Sequence, residues 1–177
     1  MWHHEKIGTM LLLSFLITGC TQAQPDSKVP KTEAVTTSST QVNAPSFFHL
    51  SVLKDVNWEE APSSIDGKIP LKGIEKKIAM ADSPIIANEQ NEIMWYFLDS
   101  EIPTGKLSII ALKQGSVTPT PVLFQKETSK QTWTTSNTID STTSELPLAM
   151  SLPSSGLWLL NIYVNEKYYD QFVITAE

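Results

Sequence analysis

Ser51 and Lys54 share a spacing that acyl-transfer chemistry uses, a serine hydroxyl with a lysine amine one helical turn later to take its proton. In this chain the four residues continue a strand-like run, Phe47–Leu53, which puts Ser51 and Lys54 on opposite faces. The S-D-N and K-T-G companions of such a pair are absent from the sequence. His49 is the one histidine beyond His3 and His4. A triad needs its imidazole oriented by a carboxylate and close to a nucleophile. In a β-rich segment His49 reads as a hydrogen-bonded or surface residue. No H-x-x-x-H, H-x-E or C-x-x-C spacing offers a zinc site. Asp99-Ser100-Glu101 and Asp55…Glu59-Glu60 carry oxygens suited to calcium at a loop end. Neither has the alternating acidic loop with a central glycine that a calcium hand requires. No catalytic residue and no metal ligand is assigned on these grounds, and no cofactor is implied.

One residue does carry a specific chemistry. Cys20 is the only cysteine, so no disulfide framework can form within the chain. It follows a weakly positive start (Lys6, with His3 and His4, offset by Glu5) and an apolar run from Ile7 to Ile17. A spanning helix needs about 20 apolar residues for roughly 30 Å of hydrocarbon, and this run is shorter. Its length suits the apolar region of a secretory signal. The order Ile17-Thr18-Gly19-Cys20 resembles the lipobox of bacterial lipoproteins. The resemblance implies cleavage between Gly19 and Cys20, a diacylglyceryl group on the Cys20 thiol, and a mature chain beginning at that cysteine. Two acyl chains hold a protein stably where one holds it reversibly. The expected location is therefore the outer face of the cytoplasmic membrane, with the membrane itself as a partner through the lipid.

Thr21–Pro45 reads as a disordered linker. Eight of its 25 residues are Ser or Thr, three are Pro, and it has no aromatic residue, Leu or Ile. Such a segment buries too little to offset its ordering entropy, and its root-mean-square span is about 25–30 Å. From Ser46 onward the composition changes, with 13 aromatic residues in the rest of the chain. The expected organisation is a signal peptide over 1–19, a lipidated cysteine and linker over 20–45, and one domain over 46–177, a size sufficient for a single core.

That domain is punctuated as an all-β protein, with short apolar runs separated by Gly or Pro. Strands are predicted near Phe47–Leu53, Lys76–Ala81, Ile93–Leu98, Lys106–Leu112, Val122–Lys126, Leu146–Leu152, Leu157–Val164 and Tyr168–Thr175. Asp55–Gly73 is the hardest stretch to read and leaves room for a short helical turn. Trp158, Leu160, Ile162 and Val164 share one strand face between a Pro153–Gly156 corner and an Asn165-Glu166-Lys167 hairpin. This end resembles the E–F–G portion of an immunoglobulin-like domain, so an antiparallel immunoglobulin-like β-sandwich is expected, with a closed barrel as the alternative. Asn91–Leu98, Trp133 and Leu152–Val164 are also similar to an uncharacterised family of lipoproteins from Bacillus-type bacteria. The likeness rests on Trp95, Phe97, Gly156 and Trp158, and departs from the family at Ser155, where proline is expected.

All 13 basic residues are lysine, and 19 acids set the net charge at -6. With no arginine and no basic face, nucleic acid is not an expected partner. The lysine usage hints at a low-GC, Gram-positive source. Ile93–Leu98 is apolar on both faces, which implies burial on both sides or an exposed patch. The second possibility makes Tyr96, with Trp133, Tyr163 or Tyr169, a binding surface for an envelope protein or peptide. A non-catalytic binding module follows. The alternatives are a small envelope hydrolase built on His49, Ser51 or a pair of loop acids, and a structural or protease-inhibitory domain.

Overall fold

The computed structural model describes residues 44–125 and 128–177. Gly19 and Cys20, the signal segment and nearly all of the predicted linker lie outside them. The first described segment, Ala44–Trp58, runs as a strap containing one 3-10 turn, Leu50–Leu53. Then follow β1 (Ser63–Asp66), β2 (Ile69–Ile74), β3 (Ile78–Ala81), β4 (Asn91–Phe97), β5 (Gly105–Lys113), β6 (Thr120–Pro121), β7 (Leu123–Gln125), β8 (Lys130–Thr132), β9 (Thr134–Ile139), β10 (Glu145–Met150), β11 (Gly156–Val164) and β12 (Lys167–Ala176).

The strands form two antiparallel sheets that do not close on each other. The first has the order β1-β2-β3-β4-β10-β7-β8. In the second, β12-β11-β5 are successive neighbours, and both β6 and β9 pair with β5. Within this layout β3-β4-β10-β7 has the A-B-E-D order of an immunoglobulin constant-type sheet, and β12-β11-β5 its G-F-C partner. The chain is an immunoglobulin-like β-sandwich extended by the β1–β2 hairpin at one edge and by β8 and β9 between strands D and E.

Alternation explains the inner core. Ile93, Trp95 and Phe97 of β4, Leu148 and Met150 of β10, and Trp158, Leu160, Ile162 and Val164 of β11 all point between the sheets. Trp95 is fully buried, with its ring 5.7 Å from that of Phe172. The other side of the second sheet is buried as well. Ile110, Leu112, Leu159, Tyr163 and Val173 form a second core with Phe48, covered by Phe47, Val52, Leu53, Val56 and Trp58 of the strap. Hence every residue from Trp158 to Val164 is buried.

The predicted corner and hairpin are present, and their bonds show why. Trp158 Nε1–H donates to the Ser154 carbonyl at 2.9 Å, and Lys113 Nζ donates to Ser154 Oγ at 2.8 Å. Ser155, where proline is expected, is exposed and takes no part in these bonds. Asn165 and Glu166 have φ of 50° and 65°, the pair of positive values a two-residue type I′ hairpin demands. A bulge between Ile162 and Tyr163 then shifts the register against β12. Gly105 sits against this hairpin, where a Cβ would collide with that of Asn165.

Two expectations are corrected. Phe47–Leu53 is not a strand: its apolar residues serve a turn lying flat on a sheet and do not alternate. The Asp55–Gly73 stretch has no helical turn; β1 and β2 form a hairpin there, closing at Asp66-Gly67. β8 and β9, rich in Thr and short of large apolar residues, were not anticipated.

Beyond Trp58 the chain is clasped to both sheets. Glu60 Oε1 accepts hydrogen bonds from Lys72 Nζ at 2.8 Å and from the Thr175 N–H at 3.0 Å. Lys72 also pairs with Asp82 at 3.0 Å, and Asp82 accepts the Ser63 hydroxyl. The hydrogen bond from Lys72 holds Glu60 below its ordinary carboxylate value, and those from Ser63 and Lys72 do the same for Asp82. Partial burial works against the charged Lys72 amine, but its hydrogen bonds to Glu60 and Asp82 outweigh this and raise its pKa.

The depressed carboxylates contribute stability that is present above their unfolded values, near 4.5 and 3.8, and is lost as the pH falls through their lower folded values. Urea titrations between pH 6 and 2.5 will show this loss, and Lys72→Met will flatten it. The Trp95 indole N–H finds no acceptor among the described residues, whereas that of Trp158 is bonded. Trp158→Phe is therefore expected to cost about 1–2 kcal/mol more than Trp95→Phe in denaturant midpoints, since the volume change is the same.

Candidate functional site

The concave surface with the most chemistry lies where the strap meets the β11–β12 hairpin. It is an open cleft of about 410 Å³ with two walls. Phe47, His49, Ser51, Val52 and Lys54 of the strap form one, and Tyr163, Glu166, Tyr168 and Gln171 the other. The turn at Leu50–Leu53 places residues three apart on the same side, so Ser51 and Lys54 face one cleft, contrary to the opposite faces a strand predicts.

Three rings line up at the cleft. Phe47 stands 5.1 Å from Tyr163, which meets Tyr168 edge-on at 5.8 Å. Tyr168 is 52% exposed and forms the outer end of the row. Tyr163, 3% exposed, forms its base. Removal from water, reinforced by neighbouring Tyr168, pushes the Tyr163 hydroxyl up to about 12. At the floor, Gln171 Nε2–H donates to the Val52 carbonyl at 3.3 Å, and Gln171 Oε1 is buried without a donor. Asn161, opposite Gln171 across β11–β12, is fully buried; it donates to the Ile110 carbonyl at 3.0 Å and leaves Oδ1 unpaired.

The four aromatic residues expected to share a binding surface do not come together. Tyr163 is not a surface residue, because the second core needs its ring. Tyr96 is half-buried on the first sheet, opposite Ala79 and Glu145. Trp133 packs at the margin of the second core. Tyr169, beside the β12 bulge, donates its hydroxyl to Asp99 Oδ2 at 3.4 Å and lies 5.0 Å beneath Lys77 Nζ. Its hydroxyl is also pushed up to about 12, chiefly by burial and then by Asp99. Sequence reasoning missed Phe47 and Tyr168. The one signal for Tyr168 was its place immediately after a tight hairpin, where a ring stands clear of the sheet.

Three of the acids considered for calcium are otherwise engaged. Glu59 accepts from Asn57 Nδ2 at 2.9 Å, Glu60 is held by Lys72 and Thr175, and Asp99 receives the Glu101 N–H at 3.2 Å. Among the described residues no three His, Cys, Asp or Glu side chains are placed to share a metal ion. No hydrogen bond joins His49, Ser51, Lys54 and Glu166 to one another across the cleft. Among the described residues no helix is long and apolar enough to cross a membrane.

An immunoglobulin-like sandwich with a strap over its G-F-C sheet is the class of domain these features define. The chain belongs to the family known as Domain of unknown function (DUF4871), whose model matches residues 47–174 and so begins within the strap, at Phe47. It is similar to the crystal structure of a candidate lipoprotein from Bacillus anthracis, with 88% identity and a TM-score of 0.76. The match covers 78% of this chain and all of the other. The resemblance to Bacillus lipoproteins is thus borne out. The residues that carried it have structural roles: Trp95 and Phe97 fill the inner core, and Gly156 and Trp158 make the E–F corner. No curated protein matches the chain.

Because the folded Tyr163 value is raised, its contribution is complete below pH 10 and is lost as the pH rises toward about 12. Denaturation followed from pH 8 to 12 will show stability falling above pH 10, and Tyr163→Phe will reduce that fall.

Proposed function

We propose that this protein is a lipid-anchored, extracytoplasmic, non-catalytic module that binds an envelope protein or peptide in the strap–hairpin cleft. The observation that carries the reading is the row Phe47–Tyr163–Tyr168, whose middle ring is buried and whose outer ring, Tyr168, is half-exposed. A fixed aromatic row offers a partner a large contact area at small entropic cost, because its rings are already ordered by the core beneath. Lys54 and Glu166 flank the row with opposite charges suited to register rather than affinity. The lipidated residue is Cys20, which would hold the domain at the outer face of the cytoplasmic membrane of a Gram-positive cell. The similarity to a candidate lipoprotein supports that placement.

A hydrolase is the second reading, and one observation favours it: His49, Ser51, Lys54 and Glu166 line the same cleft. Against it, no nucleophile–base hydrogen bond has formed, and no carboxylate among the described residues accepts a hydrogen bond from His49.

Crosslinking in intact cells followed by mass spectrometry separates the two. A module predicts a defined protein captured by the wild type, with capture reduced at least ~10-fold by Tyr168→Ala and unchanged by Ser51→Ala. Cys20→Ala is expected to release the protein from the membrane fraction. Substrate turnover abolished by Ser51→Ala and spared by Tyr168→Ala would overturn the module reading.

A further inference from the structure

The strap is attached to the sheet beneath it in an unusual way. From Ala44 to Trp58 it contributes most of the cover of the second core. Yet among the described residues one hydrogen bond joins it to that sheet, Gln171 Nε2 to the Val52 carbonyl at 3.3 Å. Its other backbone bonds are internal: Phe48 N–H to Pro45, Val52 N–H to His49 and Lys54 N–H to Ser51. The strap is also loosely fitted on the β12 side. The 410 Å³ cleft flanks its first half, and a second hollow of about 300 Å³, lined by Asp55, Val56 and Asn57 against Leu159, Gln171 and Val173, flanks the other. Gln171 lines both, and the two unpaired acceptors, Asn161 Oδ1 and Gln171 Oε1, lie on this sheet face. Immediately beyond Trp58 the attachment changes, with Glu60 and Ala61 bonded to Thr175 and Val173 and Glu60 to Lys72.

From this contrast we propose that Ala44–Trp58 is a releasable strap, hinged at the Glu60 clasp, whose departure dismantles the binding cleft. The functional meaning rests on the binding-module reading above, since the strap supplies one wall of that cleft. Load applied through the residues preceding Ala44 acts on the Ala44 end, so the strap's side-chain contacts break in turn rather than together. The clasp, with its Lys72–Glu60 ion pair, the Thr175 N–H bond to the Glu60 carboxylate and the Ala61–Val173 backbone bond, stops the release before it reaches β1. By linkage, a ligand bridging Phe47 and Tyr168 holds the strap down, and a strap held down favours the ligand. The cleft is then intact on an unloaded tether and absent on a loaded one.

The release is measured without any ligand, so its failure and the failure of the binding reading are distinguishable. In single-molecule pulling of the unlipidated chain, produced without residues 1–19, handles are placed on the free Cys20 thiol and on the thiol introduced by Val117→Cys, in the exposed turn after β5. The expected trace has an early, reversible extension of at most ~50 Å, the contour of 15 residues, before the rupture of the sandwich at higher force. One rupture with no earlier step overturns the proposal. The second measurement is thiol labelling in a Cys20→Ser background. Leu159→Cys lies under the strap, and Leu160→Cys faces the inner core. Labelling at position 159 is expected to be at least ~10-fold faster than at 160 and nearly independent of denaturant, as local opening requires. Equal rates with equal denaturant dependence would show that the strap leaves only when the whole domain unfolds.

Discussion

The constraint on which the rest depends is that β11 is buried on both faces. Trp158, Leu160, Ile162 and Val164 require a facing sheet, and Leu159 and Tyr163 require a second cover on the opposite side. A sandwich supplies the first by construction. Nothing in the seven-strand arrangement supplies the second, so the chain uses the segment before its first strand. The strap is the cost of a central strand with no solvent-facing side, and the cleft exists because a 3-10 turn laid on a twisted sheet cannot follow the edge strand throughout.

The parts legible in the sequence are those where local chemistry and tertiary role coincide. Asn165-Glu166 states its own hairpin, and alternation from Trp158 to Val164 states which face enters the core. The E–F corner was readable for the same reason, since Pro153–Gly156 can only turn. The strap was not: Phe47, Phe48, Val52, Leu53, Val56 and Trp58 follow neither a period of two nor one of 3.6, because they pack on a sheet from outside. β1 and β2 escaped notice for the opposite reason, with Leu71 and Gly73 the only residues of β2 that are well buried.

The candidate site was half legible. Tyr163 was singled out for its ring, but its position on β11 commits it to the core side of the cleft. Phe47 and Tyr168 are as aromatic and no more conspicuous in sequence; their value comes from each meeting Tyr163 from opposite ends of the domain's sequence. Ser51 and Lys54 show the reverse case, a spacing whose geometry was misjudged because the secondary structure beneath it was a turn. Motif matches carry chemistry only after the backbone has decided which way the side chains point.

The contact between the strap and the last strand spans 119 residues, from Val52 to Gln171. A ribosome delivers the strap first and its docking surface last. Until β11 and β12 have emerged, Phe47, Phe48 and Trp58 have no sheet to cover, and the first strands have no G-F-C partner. The domain must therefore complete its fold late, and slowly for its size because so many of its contacts are distant in sequence. Truncating the final hairpin would remove far more than two strands: it would leave an early apolar segment permanently without a destination.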